Sequence, residues 1–300
     1  MRIVGTGNSA LAVFERGAGS PGRPTIVLAH GWPDSSAVWD AVADLLADRY
    51  HVVTYDARGI GQSARPDGRR PYALERMADD LDAVARATSP AEPPHLVGHD
   101  WGSVAGWEYV GDPDRRLWAA SFTSISGPCL DHLGHSMRDR LRRPTPRRLA
   151  PVLGQAIRSS YVGLFHVPVV STLPWRLGLA RAFRWFLRTV EDVPTDDRHP
   201  AATLPRDAVR GVHLYRTNVV RRLARARTRR ATVPVQLVVA TGDRYVTPGL
   251  TDDVTRWAPD LRRRDIDAGH WSPRTHPQLV ADLIAEHVEA VEAATARSTA

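Results

Sequence analysis

Five residues carry the sharpest chemical signal in this chain of 300: Gly98-His99-Asp100-Trp101-Gly102, directly after the apolar run His95-Leu96-Val97. The small-x-nucleophile-x-small spacing is that of a strand-to-helix turn whose central residue occupies strained backbone space. Glycines flank the centre because a side chain there would collide with the strand or the helix. Where such turns usually carry serine, this chain has Asp100. A carboxylate cannot form a stable acyl-enzyme from a peptide or ester in the way serine does. It can displace a leaving group from an sp3 carbon and leave an alkyl ester for water to cleave. Epoxides and carbon–halogen bonds are the substrates that chemistry suits.

Three further segments complete the set. His30-Gly31-Trp32-Pro33 closes the strand-like run Thr25–Ala29, where a backbone N–H can complete an oxyanion hole. Asp243 follows the apolar run Val235–Ala240, and His270 stands near the C-terminus in Ala268-Gly269-His270-Trp271. Nucleophile, acid, histidine is the chain order of an α/β-hydrolase. In this reading His270 is the base for ester hydrolysis, supported as an imidazolium by Asp243. The N–H groups of Trp32 and Trp101 hold the oxyanion. Asp265 and Asp267 are the competing acids, but they lie too close to His270 in sequence, in an expected strand and its turn.

The elements that must position these residues are legible as an α/β alternation. Strands are expected at Leu11–Glu15, Thr25–Ala29, His51–Tyr55, Pro94–Val97, Ala119–Ser124, Val235–Ala240 and Leu261–Ile266. Helical spacing marks Ala37–Ala47, Leu74–Ala87, Trp101–Val110 and a stretch from Pro277 to about Ala293. Between Gly127 and Thr232 strand signals nearly vanish, and Leu-, Arg- and Trp-rich helical stretches are punctuated by prolines. The expected organisation is therefore a mostly parallel sheet flanked by helices, formed by residues 1–126 and 233–300, with a helical lid inserted at 127–232. The Arg297–Ala300 tail is expected to fray.

Composition narrows the remaining classes. Hydrophobic residues make up 43% of the chain, enough for a substantial core, and the single cysteine, Cys129, excludes an internal disulfide. No apolar run reaches the roughly 18–20 residues of a membrane span. The N-terminus carries no signal-peptide pattern, so a cytoplasmic location is expected. The net charge is +7, but all 40 basic residues are arginine, which points to a compositional bias, and no nucleic-acid module accompanies them. The arginines cluster at 138–148 and 221–230; both clusters are read as solvated faces, with peripheral attraction to an anionic membrane as the alternative. The glycine-rich loop Asp56–Ser63 lacks the lysine of a phosphate-binding loop, and His95 and His99 lack companions for a metal set, so no cofactor is expected.

Over nearly its whole length the chain resembles the epoxide hydrolase branch of the α/β-hydrolases, and most closely the hydrolase half of actinobacterial proteins that join such a domain to a short-chain dehydrogenase. The residues that carry the likeness are His30-Gly31-Trp32-Pro33, Asp56 to Ser63, Gly98 to Ser103, Asp243 and Gly269-His270-Trp271-Ser272. The chain is expected to hold the hydrolase half alone. The resemblance implies that two lid tyrosines protonate the epoxide oxygen. Tyr161, in Tyr161-Val162-Gly163-Leu164-Phe165-His166-Val167-Pro168, and Tyr215, in Tyr215-Arg216-Thr217-Asn218, fit those positions. It implies a lipophilic epoxide opened to a vicinal diol through an aspartyl ester. Trp32, Trp101, Phe165, Trp175, Phe183, Trp185 and Phe186 are candidates to line an apolar cavity. Two other readings remain. Haloalkane dehalogenases share the aspartate but commonly place Asn where Trp32 stands, and a non-catalytic lipid-binding or accessory domain could retain the same residues.

Overall fold

The computed structural model describes residues 1–7, 9–17 and 22–299. In chain order the elements are β1 Arg2–Gly5, β2 Ala10–Arg16, β3 Thr25–Ala29, α1 Asp40–Leu46, β4 His51–Tyr55, α2 Leu74–Thr88, β5 His95–His99, α3 Trp101–Val110 and β6 Ser121–Ile125. There follow α4 Leu130–Arg142, α5 Pro146–Arg158, α6 Ser160–Phe165, α7 Pro168–Arg176, α8 Leu179–Thr189 and α9 Leu204–Ala224. The chain closes with β7 Val235–Ala240, β8 Leu261–Ile266, α10 Ser272–Thr275 and α11 Pro277–Thr299.

The strands form one sheet in the order β1-β2-β4-β3-β5-β6-β7-β8. β2 runs antiparallel to β1 and β4, and every other neighbouring pair is parallel. β3 and β5 are buried along their whole length, as strands covered by helices on both faces must be. Alternation sorts their side chains: Val27, Ala29 and Leu96 join one core cluster with Leu81 and Val84 of α2 and Trp107 of α3. Ile26, Leu28 and Val97 join the other with Val42 of α1 and Val280, Ile284 and Val288 of α11. Ala29 lies opposite Gly98, and this register brings the loop after β3 beside the turn after β5.

β1 lies outside the strands expected from sequence; only Val4 of its four residues is buried, too little periodicity to read. At the opposite edge, β8 exposes Arg262 to Asp265, a charged row that discourages further strand pairing. The tail expected to fray continues α11 to Thr299, and Ala300 lies outside the described residues.

Six helices, α4 to α9, stand between β6 and β7. Several of the prolines noted in the sequence start these helices, at the first turns of α5, α7 and α9, where the missing N–H costs nothing. α9 is bound to the sheet-and-helix layer at three points. Asp207 accepts from the Gly61 N–H, Asn218 bonds Leu74 N–H and Tyr72 O, and Arg222 pairs with Glu108 of α3 and Asp131 of α4. Here one expectation is corrected. The 221–230 cluster is a solvated face only in part: Arg221, Arg225, Arg227 and Arg230 are exposed, but Arg222 and Arg229 are buried and both reach Glu108 at 2.7 Å. Arg221 and Arg227 pair with Glu75. Their acidic partners lie far away in sequence, so the cluster itself gave no sign of them.

Candidate active site

The turn after β5 takes the form its spacing demands. Asp100 adopts φ 49° and ψ −120°, a conformation that L side chains avoid and that only a surrounding structure can hold. A Cβ on Gly102 would run into the Ala29 carbonyl, so α3 can start this close to β3 only with glycine there. Gly31 approaches the Asp100 carboxylate just as closely. The next residue in that loop, Trp32, donates its N–H to Asp100 Oδ2 at 2.8 Å, and the Trp101 N–H also favours the charged form.

Burial raises the Asp100 carboxyl to about 6, against the pull of His270 and the two N–H donors. His270 Nδ1 donates to Asp243 Oδ2 at 2.8 Å, and Asp243 Oδ1 accepts from the N–H groups of Tyr245 and Val246. Burial alone would deprotonate His270, but Asp243, with help from Asp100, outweighs it and holds the imidazolium up to about 9. The His270 carbonyl accepts from His99 Nε2 at 2.8 Å. Asp265, the competing acid, is exposed and pairs with Arg263. The structure thus brings Asp100, Asp243, His270 and the Trp32 and Trp101 N–H groups together.

Both tyrosines face the same centre. α9 carries Tyr215 between its anchors at Asp207 and Asn218, and the Trp32 indole N–H donates to Ala208 O on the same helix at 3.1 Å. Tyr161, on α6, lies 6.1 Å from Tyr215 ring to ring. Phe165 packs against Tyr161, Trp32 and Tyr215, and Arg216 ties α9 to α6 and α7 through Phe165 O and Ser171 Oγ. Burial and the nearby Asp100 charge raise both phenols, so each stays protonated at neutral pH.

Two cavities of about 350 and 310 Å³ meet at this point. Asp100, Tyr161, Tyr215, Tyr245 and Val246 line both. The larger extends under α4, α5 and α9 past Leu133, Val152 and Val219; the smaller runs under α6 to α8 past Phe165, Trp175 and Phe183. Of the aromatics expected to line a cavity, two do not. Trp185 is 63% exposed, and Phe186 packs on the core beneath α8. These two sit on the other faces of an amphipathic helix, which spacing alone did not orient.

Two site residues escaped the sequence reading. Tyr245, two residues after Asp243 in the same turn, packs 5.0 Å from the His270 ring, and its place beside the acid was the available signal. Glu191 follows α8 with a buried carboxylate; burial raises it despite Arg244 and His270 nearby, and nothing in its local sequence distinguishes it. His132 stacks on Trp257, and Cys129 is buried packing.

A buried carboxylate on a strand-to-helix turn, a paired histidine and acid from later loops, and two N–H groups converging on that carboxylate form the arrangement of an α/β-hydrolase. The sequence profile of the alpha/beta hydrolase fold matches residues 24–277, and the chain belongs to that family. A Mycobacterium tuberculosis protein named probable oxidoreductase EphD is 45% identical over 279 residues, covering 91% of this chain and 47% of that protein. The chain therefore spans about half the length of this relative. Epoxide hydrolase A of the same organism is 41% identical over 107 residues, 35% of this chain and 32% of that one. Among solved structures, a mutant of an epoxide hydrolase from Bacillus megaterium matches with a TM-score of 0.78 and 19% identity, over 96% of this chain and all of the other; that likeness speaks for the fold.

Proposed function

We propose that this chain hydrolyses lipophilic epoxides to vicinal diols through an ester on Asp100. The observation that carries the reading is the convergence of Asp100, Tyr161 and Tyr215 where the two apolar cavities meet. A carboxylate alone would suit a halide substrate as well. Two protonated phenols opposite it suit a leaving group that departs as an alkoxide and needs a proton.

Asp100, ionised above about pH 6, attacks one epoxide carbon, and the ring C–O bond breaks. The alkoxide takes a proton from Tyr161 or Tyr215. Esterification removes the Asp100 charge, and with it one of the causes that keep His270 protonated. The ring can then give up its proton, which restores the phenolate left on Tyr161 or Tyr215, and so acts as base for the second step. It takes a proton from water as the oxygen attacks the ester carbonyl, and the oxyanion rests on the Trp32 and Trp101 N–H groups. Collapse expels the alkoxide, which takes its proton from His270 and leaves as the diol; Asp100 returns its own proton to the ring and keeps one oxygen from water.

The apolar cavities on both sides of Asp100 support a substrate with apolar arms flanking the oxirane. The doubled length and the oxidoreductase name of the mycobacterial relative support the likeness to hydrolase–dehydrogenase fusions; the reaction proposed here belongs to the hydrolase half. The test is a single turnover in ¹⁸O water on a panel of epoxides. The first diol formed should carry no heavy oxygen, and His270→Gln should accumulate the ester as a mass adduct on the Asp100 peptide. Heavy oxygen in the first diol would replace the ester route with direct attack by water.

A further inference from the structure

Charge is unevenly divided along this chain. Between Arg140 and Val190 there are ten arginines and no Asp or Glu, against +7 for the whole protein, so the remaining residues are net acidic. A compositional preference for arginine does not account for such segregation, because it would supply arginines to both parts alike. Among the described residues none of the ten forms an ion pair; Arg184 bonds only a carbonyl, Ala201 O. The contrast with Arg222 and Arg229, each tied to two or more carboxylates, is complete.

The same segment turns apolar side chains outward. Ile157 of α5 and Leu177 after α7 are each about three-quarters exposed, and Val169 and Trp185 more than half. α5 to α8 pack against one another in sequence, so these exposed residues belong to one continuous run of helices. Leu164 and Val170 do more: they are 57% and 49% exposed while also lining the smaller cavity beside Asp100. The wall of the reaction cavity and the outer apolar surface are in part the same side chains.

We infer that α5 to α8 form a docking face for an anionic phospholipid surface, from which apolar substrates pass into the cavity past Leu164 and Val170. Exposed aliphatic and Trp side chains interspersed with unpaired arginines match the acyl–headgroup boundary of such a surface. An acidic soluble partner would satisfy the arginines but leave Leu177 and Trp185 without a role. The docking itself stands apart from the reaction proposed above, and only the passage of substrate rests on that reading.

The experiment is co-sedimentation with phosphatidylglycerol or phosphatidylcholine vesicles at low and high salt. The wild type, Arg176→Gln/Arg181→Gln/Arg188→Gln and Leu177→Ser/Trp185→Ser are compared, with melting curves to show that each is folded. Wild type should bind phosphatidylglycerol and not phosphatidylcholine, and should be released by salt as surface charges are screened. At about fivefold per arginine near an anionic surface, the triple variant should lose roughly 100-fold in partitioning. The apolar double variant should lose binding as well, and both should turn over a short water-soluble epoxide normally. Absence of binding at low salt, equal binding to phosphatidylcholine, or full binding by either variant would overturn the assignment. So would tighter binding to DNA or polyglutamate that ignores Leu177→Ser/Trp185→Ser. Asp100→Asn protein should bind vesicles as wild type does, so loss of the proposed reaction and loss of this surface are separable.

Discussion

Replacing Asp100 by Asn should make the protein more stable as it abolishes diol formation. The fold lifts this carboxyl from 3.8 to about 6, chiefly by burial, and that value already includes the attraction of His270 and the N–H donors. At about 1.4 kcal/mol per unit, a rise of roughly two units means that folding works against the ionised group by about 3 kcal/mol. The folded carboxyl binds its proton more tightly than the unfolded one. The penalty is therefore absent below the ordinary value of 3.8, grows up to about 6, and is constant above it. Asparagine is neutral throughout and keeps an oxygen for the Trp32 N–H. Scanning calorimetry should find the variant more stable at about pH 8 by roughly 6 °C, using about 2 °C per kcal/mol for a large domain. The gain should vanish near pH 4. A variant that melts at or below the wild-type temperature at pH 8, or whose gain is the same at both pH values, would refute the account of a carboxylate held ionised against its surroundings.

Tyr161→Phe and Tyr215→Phe should each slow epoxide opening by about 10–100-fold, part of the 10²–10⁴-fold typical of a positioned general acid, and the double variant should lose nearly all of it. Halide release from an alkyl halide should not follow that pattern; unchanged diol formation in both single variants would remove the tyrosines from the mechanism. Arg222→Ala leaves Glu108 and Asp131 buried with one fewer cation, and should cost about 3–5 kcal/mol in denaturant unfolding. A change below about 1 kcal/mol would mean that these charges do not hold α9.

The turn around Asp100 was legible because its function imposes backbone strain, and strain restricts which residues can stand at 98 and 102. Asp243 and His270 were legible because each follows one of the last two strands in a fixed chain order, although only the strand before Asp243 is apolar. Tyr161 and Tyr215 were reached through resemblance, since a lone tyrosine on a helix has no spacing that distinguishes a proton donor from packing. What stayed hidden was long-range pairing. Nothing near Arg222 in the sequence announces Glu108, which lies 114 residues earlier, so a buried network looked like a charged surface. Trp185 was misplaced for a related reason: periodicity shows that α8 has two faces, not which one meets the cavity.

The three polar anchors of α9 cross the boundary that chain order draws around the inserted helices. By chain order α9 belongs with the helices inserted after β6, and it packs on α4 and α7, yet Asp207, Asn218 and Arg222 also fasten it to residues outside that insertion. Tyr215 thus stands between fixed points shared with the layer that holds Asp100, whereas Tyr161 stands on α6, joined to α9 by Phe165 and the Arg216 bonds. Any outward swing of α6 to α8 would separate the two phenols while Asp100, His270 and Asp243 kept their places. The acid half of the site would then be assembled anew at each closure, and the carboxylate would stay without a matched proton donor for as long as the entrance stood open to water.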